Sequence, residues 1–168
     1  ITNPTREQLP SLININRALI TTAEARVAQR SVYQINEAFG EVMRQELAYS
    51  DFITVSYDEN GEISMLSANA TLMNRLASQA STLAQENISK MSAQGVTVPL
   101  GTAIGIPMFS GIGPRVRFEI TPVGSVVTQF ETEFEGAGIN QTRHRISLVA
   151  TASVRIVVPM GVKLVTVS

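Results

Sequence analysis

The sequence predicts an α+β domain in which two long amphipathic helices pack on a strongly curved antiparallel β-sheet. Three observations carry this. Apolar residues recur in steps of three and four over two long stretches of the N-terminal half. From Arg115 onward they alternate with polar residues, the period of half-buried strands. The segment 140–158 would reach about 60 Å as a straight strand at roughly 3.3 Å per residue, so it has to bend, coil or carry a bulge.

Composition sets the outer bounds. With 168 residues, 44% hydrophobic and 16% charged, the chain suits one domain with a real core. Its net charge of -1 and pI near 5.9 give no global field towards nucleic acid or an anionic membrane. Cysteine is absent, which excludes disulfides, thiolate catalysis and cysteine-based metal sites. A single histidine excludes a multi-histidine metal site, and no cofactor is implied. Aromatics are only 5% and tryptophan is missing, so the core falls to Val, Ile, Leu, Met and Ala. No stretch has the roughly 18 consecutive apolar residues of a membrane-spanning helix.

Residues 1–17 read as a lead-in segment with two prolines and no period. A helical pattern begins near Leu19, with Ala28, Val32, Ile35, Phe39 and Val42 on one face. Gly40 costs that helix roughly 1 kcal/mol, which five consistent apolar positions outweigh. Phe52–Leu66 reads as a hairpin. A loop with Gly61 left-handed would pair Tyr57 with Ile63 and Val55 with Met65. A second helix is predicted from about Ala68 to Ala93. Its buried stripe is Leu72, Leu76, Ala80, Leu83, Ala84, Ile88 and Met91, and its wet face includes Asn74, Arg75, Ser78, Thr82, Gln85, Glu86 and Lys90.

Residues 96–114 form a loop punctuated by glycine and proline, yet Ile104, Ile106, Met108, Phe109 and Ile112 are apolar. Two readings stay open. The loop tucks these side chains under the sheet as a satellite core, or it offers them to a membrane or a partner. The remainder, 115–168, reads as a meander of about four strands. A turn is expected at Pro122–Gly124, another at 136–140 and a third at 159–161.

The candidate sites divide accordingly. No catalytic or metal constellation stands out. In a hairpin turning at 136–139, Glu133 would face Arg143, Glu131 would face Arg145, and Arg115 would lie across from Glu131. This is an exposed ladder of opposite charges worth roughly 0.2–1 kcal/mol per pair. His144 falls on the apolar row near Thr132 and reads as a packing residue. Asn140, Gln141 and Arg143 sit at the turn, where they either lock its backbone or serve recognition at a loop tip. GTAIGIPMFSGIGP lacks the Gly-Lys-Ser/Thr ending and the following helix of a phosphate loop.

The stretch EFEGAGINQTRHRISL resembles the signature of the YunB-type sporulation proteins of endospore-forming Firmicutes. AEARVAQRSVYQINEAF, DFITVSYDENGEISML, ANATLMNRL and VPLGTAIG…GIGPRVRFEITPVGSV agree with that family in the same order. The loop GIPMFSGIGP departs from the family's GS-x-L-L-A-G-x-G-P pattern. The resemblance implies an extracytoplasmic domain following an N-terminal membrane anchor that lies before Ile1, made in the mother cell and facing the forespore. It transfers no catalytic residue. It implies a non-enzymatic envelope protein required for endospore formation. That protein would act by contact with other sporulation envelope proteins or with itself, not with nucleic acid. The alternative is a lipid-binding or lipid-transfer module, because long helices cradled by a curved sheet are similar to tubular lipid-binding folds. Within one domain, 1–168, the predicted order is lead-in (1–17), helix–hairpin–helix (18–95), loop (96–114) and meander (115–168).

Overall fold

The computed structural model describes residues 8–45, 47–104, 106–136, 142–158 and 161–168. The fold is α+β, with two long helices, a two-stranded hairpin and a four-stranded antiparallel sheet.

Helix α1 spans Gln8–Met43. It therefore begins well before Leu19, within the segment read as a lead-in. Pro10 is no obstacle there, because the first turn's N–H groups have no intrahelical acceptor. Leu19, Ala23, Val27, Ser31, Ile35, Ala38 and Val42 are buried. The expected stripe was right at Ile35 and Val42, with Phe39 half-buried. Val32 was misplaced and is 40% exposed, since the buried row runs through its neighbour Ser31. A row in steps of four drifts around a helix of 3.6 residues per turn, so one apolar pattern fits two adjacent rows.

A short helix α2, Tyr49–Phe52, leads into strands β1 (Ile53–Tyr57) and β2 (Ile63–Ala68). Tyr57 pairs with Ile63 as expected, but an irregularity after Ser56 pairs Val55 with Leu66 instead of Met65. Asp58 builds the loop. Its Oδ1 accepts from the N–H of Asn60 at 2.9 Å and of Glu62 at 2.8 Å. Gly61 takes the left-handed conformation at φ 80.

Helix α3, Ala70–Gln94, starts at Asn69, whose Oδ1 accepts from Leu72 N–H at 3.1 Å. Asn69 Nδ2 also donates to the Asp51 carbonyl at 3.1 Å, so one cap joins α3 to α2. Leu76, Ala80, Ala84, Ile88 and Met91 are buried as the sequence predicts, while Leu72 and Leu83 are half-buried and Met73 and Ala77 join the core.

The main sheet has the order β3-β4-β5-β6. Strand β3, Val96–Pro99, occupies the start of the segment read as a loop, where Val96 and Val98 are buried against the helices. Strand β4 runs unbroken from Arg115 to Gly136, through the turn expected at Pro122–Gly124. The register there moves from Val123↔Ser153 to Val127↔Thr151, an insertion of two residues, with Gly124 at φ 72. Two extra residues preserve the alternation, so Phe118, Ile120 and Val126 all face the core. The insertion is a bulge and not a turn because β5 continues alongside it. Gln85, expected on the wet face of α3, reaches it, and its Oε1 accepts from Val126 N–H at 2.8 Å.

Strands β5 (Thr142–Val158) and β6 (Gly161–Val167) complete the sheet. Ala150, Ala152, Val154 and Ile156 form the inward row that the alternation predicts. With Val27, Ala84, Ile88, Val98, Phe118 and Ile120 they make the main core between helices and sheet. Val42, Leu76 and Ala80 form a second, smaller core.

Candidate contact surfaces

The long β4–β5 ribbon separates two surfaces. At roughly 3.3 Å per residue, the ends of β4 lie many tens of ångströms apart along the strand.

The first surface is the segment joining β3 to β4. It is clamped at its foot, where Leu100 N–H donates to the Pro114 carbonyl at 2.9 Å and Gly101 N–H to the Ile112 carbonyl at 3.0 Å. Short 3-10 turns at Leu100–Ile104 and Pro107–Phe109 fold it back on itself. Gly101 is buried so closely that a Cβ there would run into the carbonyl oxygens of Phe109 and Ile112. The clamp turns the apolar side chains outward. Exposure is 54% at Ile104, 48% at Ile106, 78% at Met108, 44% at Phe109 and 60% at Ile112. Of the two readings of this loop, the satellite core is therefore wrong for these residues. Leu100 and Ala103, nearer the foot, are the ones that pack on the core.

The second surface is an apolar recess of about 390 Å³ lined by Phe39, Met43, Tyr49, Phe52, Phe130, Ile146 and Leu148. Phe52 and Phe130 meet with ring centroids 6.0 Å apart. Tyr49 forms one wall, and its hydroxyl lies 2.7 Å from His144 Nδ1 with the two rings edge to face at 5.9 Å. His144 is thus half-buried on the inward row as expected, but it sits opposite Phe134 in the register and not near Thr132. The sequence reading missed this recess. Its signal is a gathering of Phe39, Tyr49, Phe52 and Phe130 in a chain with only 5% aromatics.

The charge ladder exists but is shifted by two residues. Glu133 pairs with Arg145, Glu135 with Arg143, and Glu131 with Ser147. The closest ion pair is diagonal, Arg145 Nη1 to Glu135 Oε1 at 3.9 Å, with both side chains about half exposed. Arg115 does not join the ladder; it pairs with Pro99 of β3. Arg143 is exposed at the end of β5, while Asn140 and Gln141 lie outside the described residues. Among the described residues, no group of three or more His, Asp or Glu could hold a metal ion. No helix among them is long and apolar enough to cross a membrane.

The comparisons with known proteins bear on residues now placed. Residues 95–168, which hold all of β3 to β6, match the family described as sporulation protein YunB (Spo_YunB). A curated Bacillus subtilis (strain 168) protein named "Sporulation protein YunB" is 19% identical over 165 residues. The match takes in 92% of this chain and spans 65% of that relative's length. No solved structure matches. The family match over β3 to β6, the curated relative and the motifs quoted above agree in making this chain similar to the YunB-type sporulation proteins.

Proposed function

We propose that this domain serves endospore formation as a non-enzymatic envelope module that works by contact. The sporulation role rests on the family, and the mode of action rests on one observation. The recess at Phe39, Phe52, Phe130 and Leu148 is apolar, aromatic and open, the form that receives an anchor side chain from another protein. Its occupant is another sporulation envelope protein or a second copy of this chain. In this reading the domain stands outside the cytoplasm behind a membrane anchor, in the mother-cell-derived membrane facing the forespore.

Phe130→Asp tests the proposal. The change places a charge in the recess, away from the main core but against the smaller one, so thermal unfolding of the purified variant checks that the domain still folds. Heat-resistant spore counts are expected to fall in a strain carrying the variant, although the protein accumulates normally. Normal spore counts would sink the contact reading. The alternative of a lipid-binding module with a curved sheet would use the same recess for an acyl chain. Native mass spectrometry of the gently purified domain distinguishes the two, because only the lipid-binding module would retain a lipid mass.

A further inference from the structure

We propose that the β3–β4 loop is a membrane-docking element that seats the domain on an anionic lipid surface. The first support is the loop itself. Residues 96–114 contain no charged side chain, and Ile104, Ile106, Met108, Phe109 and Ile112 are exposed together. The clamp at Gly101 holds the loop in a defined shape without burying these residues. An exposed apolar tip of this kind costs free energy in water and is relieved by entering the headgroup–acyl boundary.

The second support is charge. No acid occurs between Glu86 and Glu119 in the sequence, and Arg115 and Arg117 follow the loop directly. In the register Arg115 stands opposite Pro99 and Arg117 opposite Thr97. Both therefore lie within about 10 Å of the loop's foot along the strand. Arg26 and Arg30 of α1 reach the same hairpin from its other side. Arg26 Nη1 donates to the Thr97 carbonyl at 2.8 Å and Arg30 Nη1 to the Gly95 carbonyl at 3.3 Å. These two arginines, Gln29, Val96 and Thr97 line a cleft of about 300 Å³. Each guanidinium carries five N–H donors, so these bonds leave donors free for phosphate oxygens. Lys90 adds no net charge because it is paired with Glu86 at 2.7 Å. The acids nearest in sequence are Glu119, beyond Arg117 from the loop, and Glu24, about 200° around α1 from Arg26.

A chain of net charge -1 thus concentrates four arginines around its most exposed apolar loop. An apolar protein partner would account for the loop but not for the arginines. An anionic bilayer accounts for both, with the loop in the boundary and the arginines at phosphate depth. Each arginine near such a surface adds roughly fivefold to partitioning. That attraction decays over about 8–10 Å at physiological salt. The inference stands independently of the sporulation role and of the aromatic recess.

The test is flotation of the purified domain with vesicles rich in phosphatidylglycerol or made of phosphatidylcholine alone. Two variants are compared: Met108→Gln/Ile112→Gln, and Arg115→Gln/Arg117→Gln. All four positions are solvent-exposed, and thermal unfolding checks that both variants fold. The wild-type domain is expected to float with phosphatidylglycerol vesicles and to stay down with phosphatidylcholine or in high salt. The arginine variant should bind roughly 25-fold more weakly. The loop variant should lose binding while keeping its fold. The proposal is overturned if the folded wild type fails to float with phosphatidylglycerol vesicles, or if both variants float as well as wild type. It is also overturned if the domain ignores vesicles but dimerises through Met108 and Ile112, since the loop is then a protein interface.

Discussion

Arg26 Nη1 donates to the carbonyl oxygen of Thr97 at 2.8 Å, and Arg30 repeats the bond at Gly95. The fit is metric. Residues four apart on a helix are about 6 Å apart along its axis. Residues two apart on a strand are about 6.6 Å apart. A pair of arginines one turn apart on α1 therefore meets successive outward carbonyls at β3, an edge strand of the main sheet. An open edge is a template for pairing with another chain, and bulky charged side chains close it. The double variant Arg26→Ala/Arg30→Ala should lose about 1 kcal/mol of stability in denaturant unfolding. It should also show a steeper concentration dependence of light scattering than the wild type. A variant of unchanged stability that scatters no more than the wild type would refute edge protection.

Gln85 and Val126 form a second long-range bond that depends on a single side chain. The bulge leaves Val126 N–H without a strand partner, and Gln85 Oε1 accepts it at 2.8 Å. Val126 is buried, so losing that acceptor strands a polar group out of water. Gln85→Ala should cost about 1–3 kcal/mol, more than an ordinary exposed helix position. Alanine's better helix propensity offsets only a few tenths of that. Equilibrium unfolding in urea measures it, and a neutral result would mean that the amide does not hold the bulge.

Ser31 makes the opposite prediction. Its side chain is 0% exposed, and its hydroxyl has no hydrogen-bond partner among the described residues. It occupies a position on α1 where the row through Val27 and Ile35 is otherwise apolar. Ser31→Ala removes a stranded hydroxyl and improves helix propensity, so it should stabilise the domain by about 1 kcal/mol. A raised urea midpoint with an unchanged slope is the expected outcome. A lowered midpoint would show that the hydroxyl has a partner.

Gly101 carries the loop clamp. Any side chain there collides with the backbone of Phe109 and Ile112, which cannot yield as a flexible side chain would. Gly101→Ala should cost about 1–3 kcal/mol and open the loop. Hydrogen exchange reads this directly, since the Gly101 and Ile112 amides should lose protection while the β4–β5 ladder keeps its own. Retained protection at Gly101 would show that the loop absorbs the methyl group.

Asp58→Ala tests the smaller hairpin. One carboxylate oxygen accepts two loop amides, and alanine can accept neither. The β1–β2 tip should fray, lowering protection of the loop amides, at a cost of about 1 kcal/mol or less because the site is exposed. Unaltered exchange at Glu62 would contradict this.

The sequence by itself determined the period of each element. The alternation from His144 to Ile156 identified the inward row of β5, and the three-and-four steps from Leu76 to Met91 identified the buried face of α3. These are local patterns, written into side-chain spacing by the geometry of helix and strand. The resemblance to the YunB-type proteins was legible for the same reason, because the motifs that carry it are contiguous. Tertiary structure decided everything that depends on register between distant segments. A shift of two residues leaves every side chain on its face, so periodicity alone could not tell Glu133↔Arg143 from the Glu133↔Arg145 pairing that forms. The same insensitivity hid the bulge at Val123–Val127, which looked like a turn until β5 ran past it. The direction of the apolar loop was beyond the pattern too. Ile104, Met108 and Ile112 are apolar whether they face in or out. What turns them outward is the close approach of Gly101 to a backbone that only the folded chain brings there.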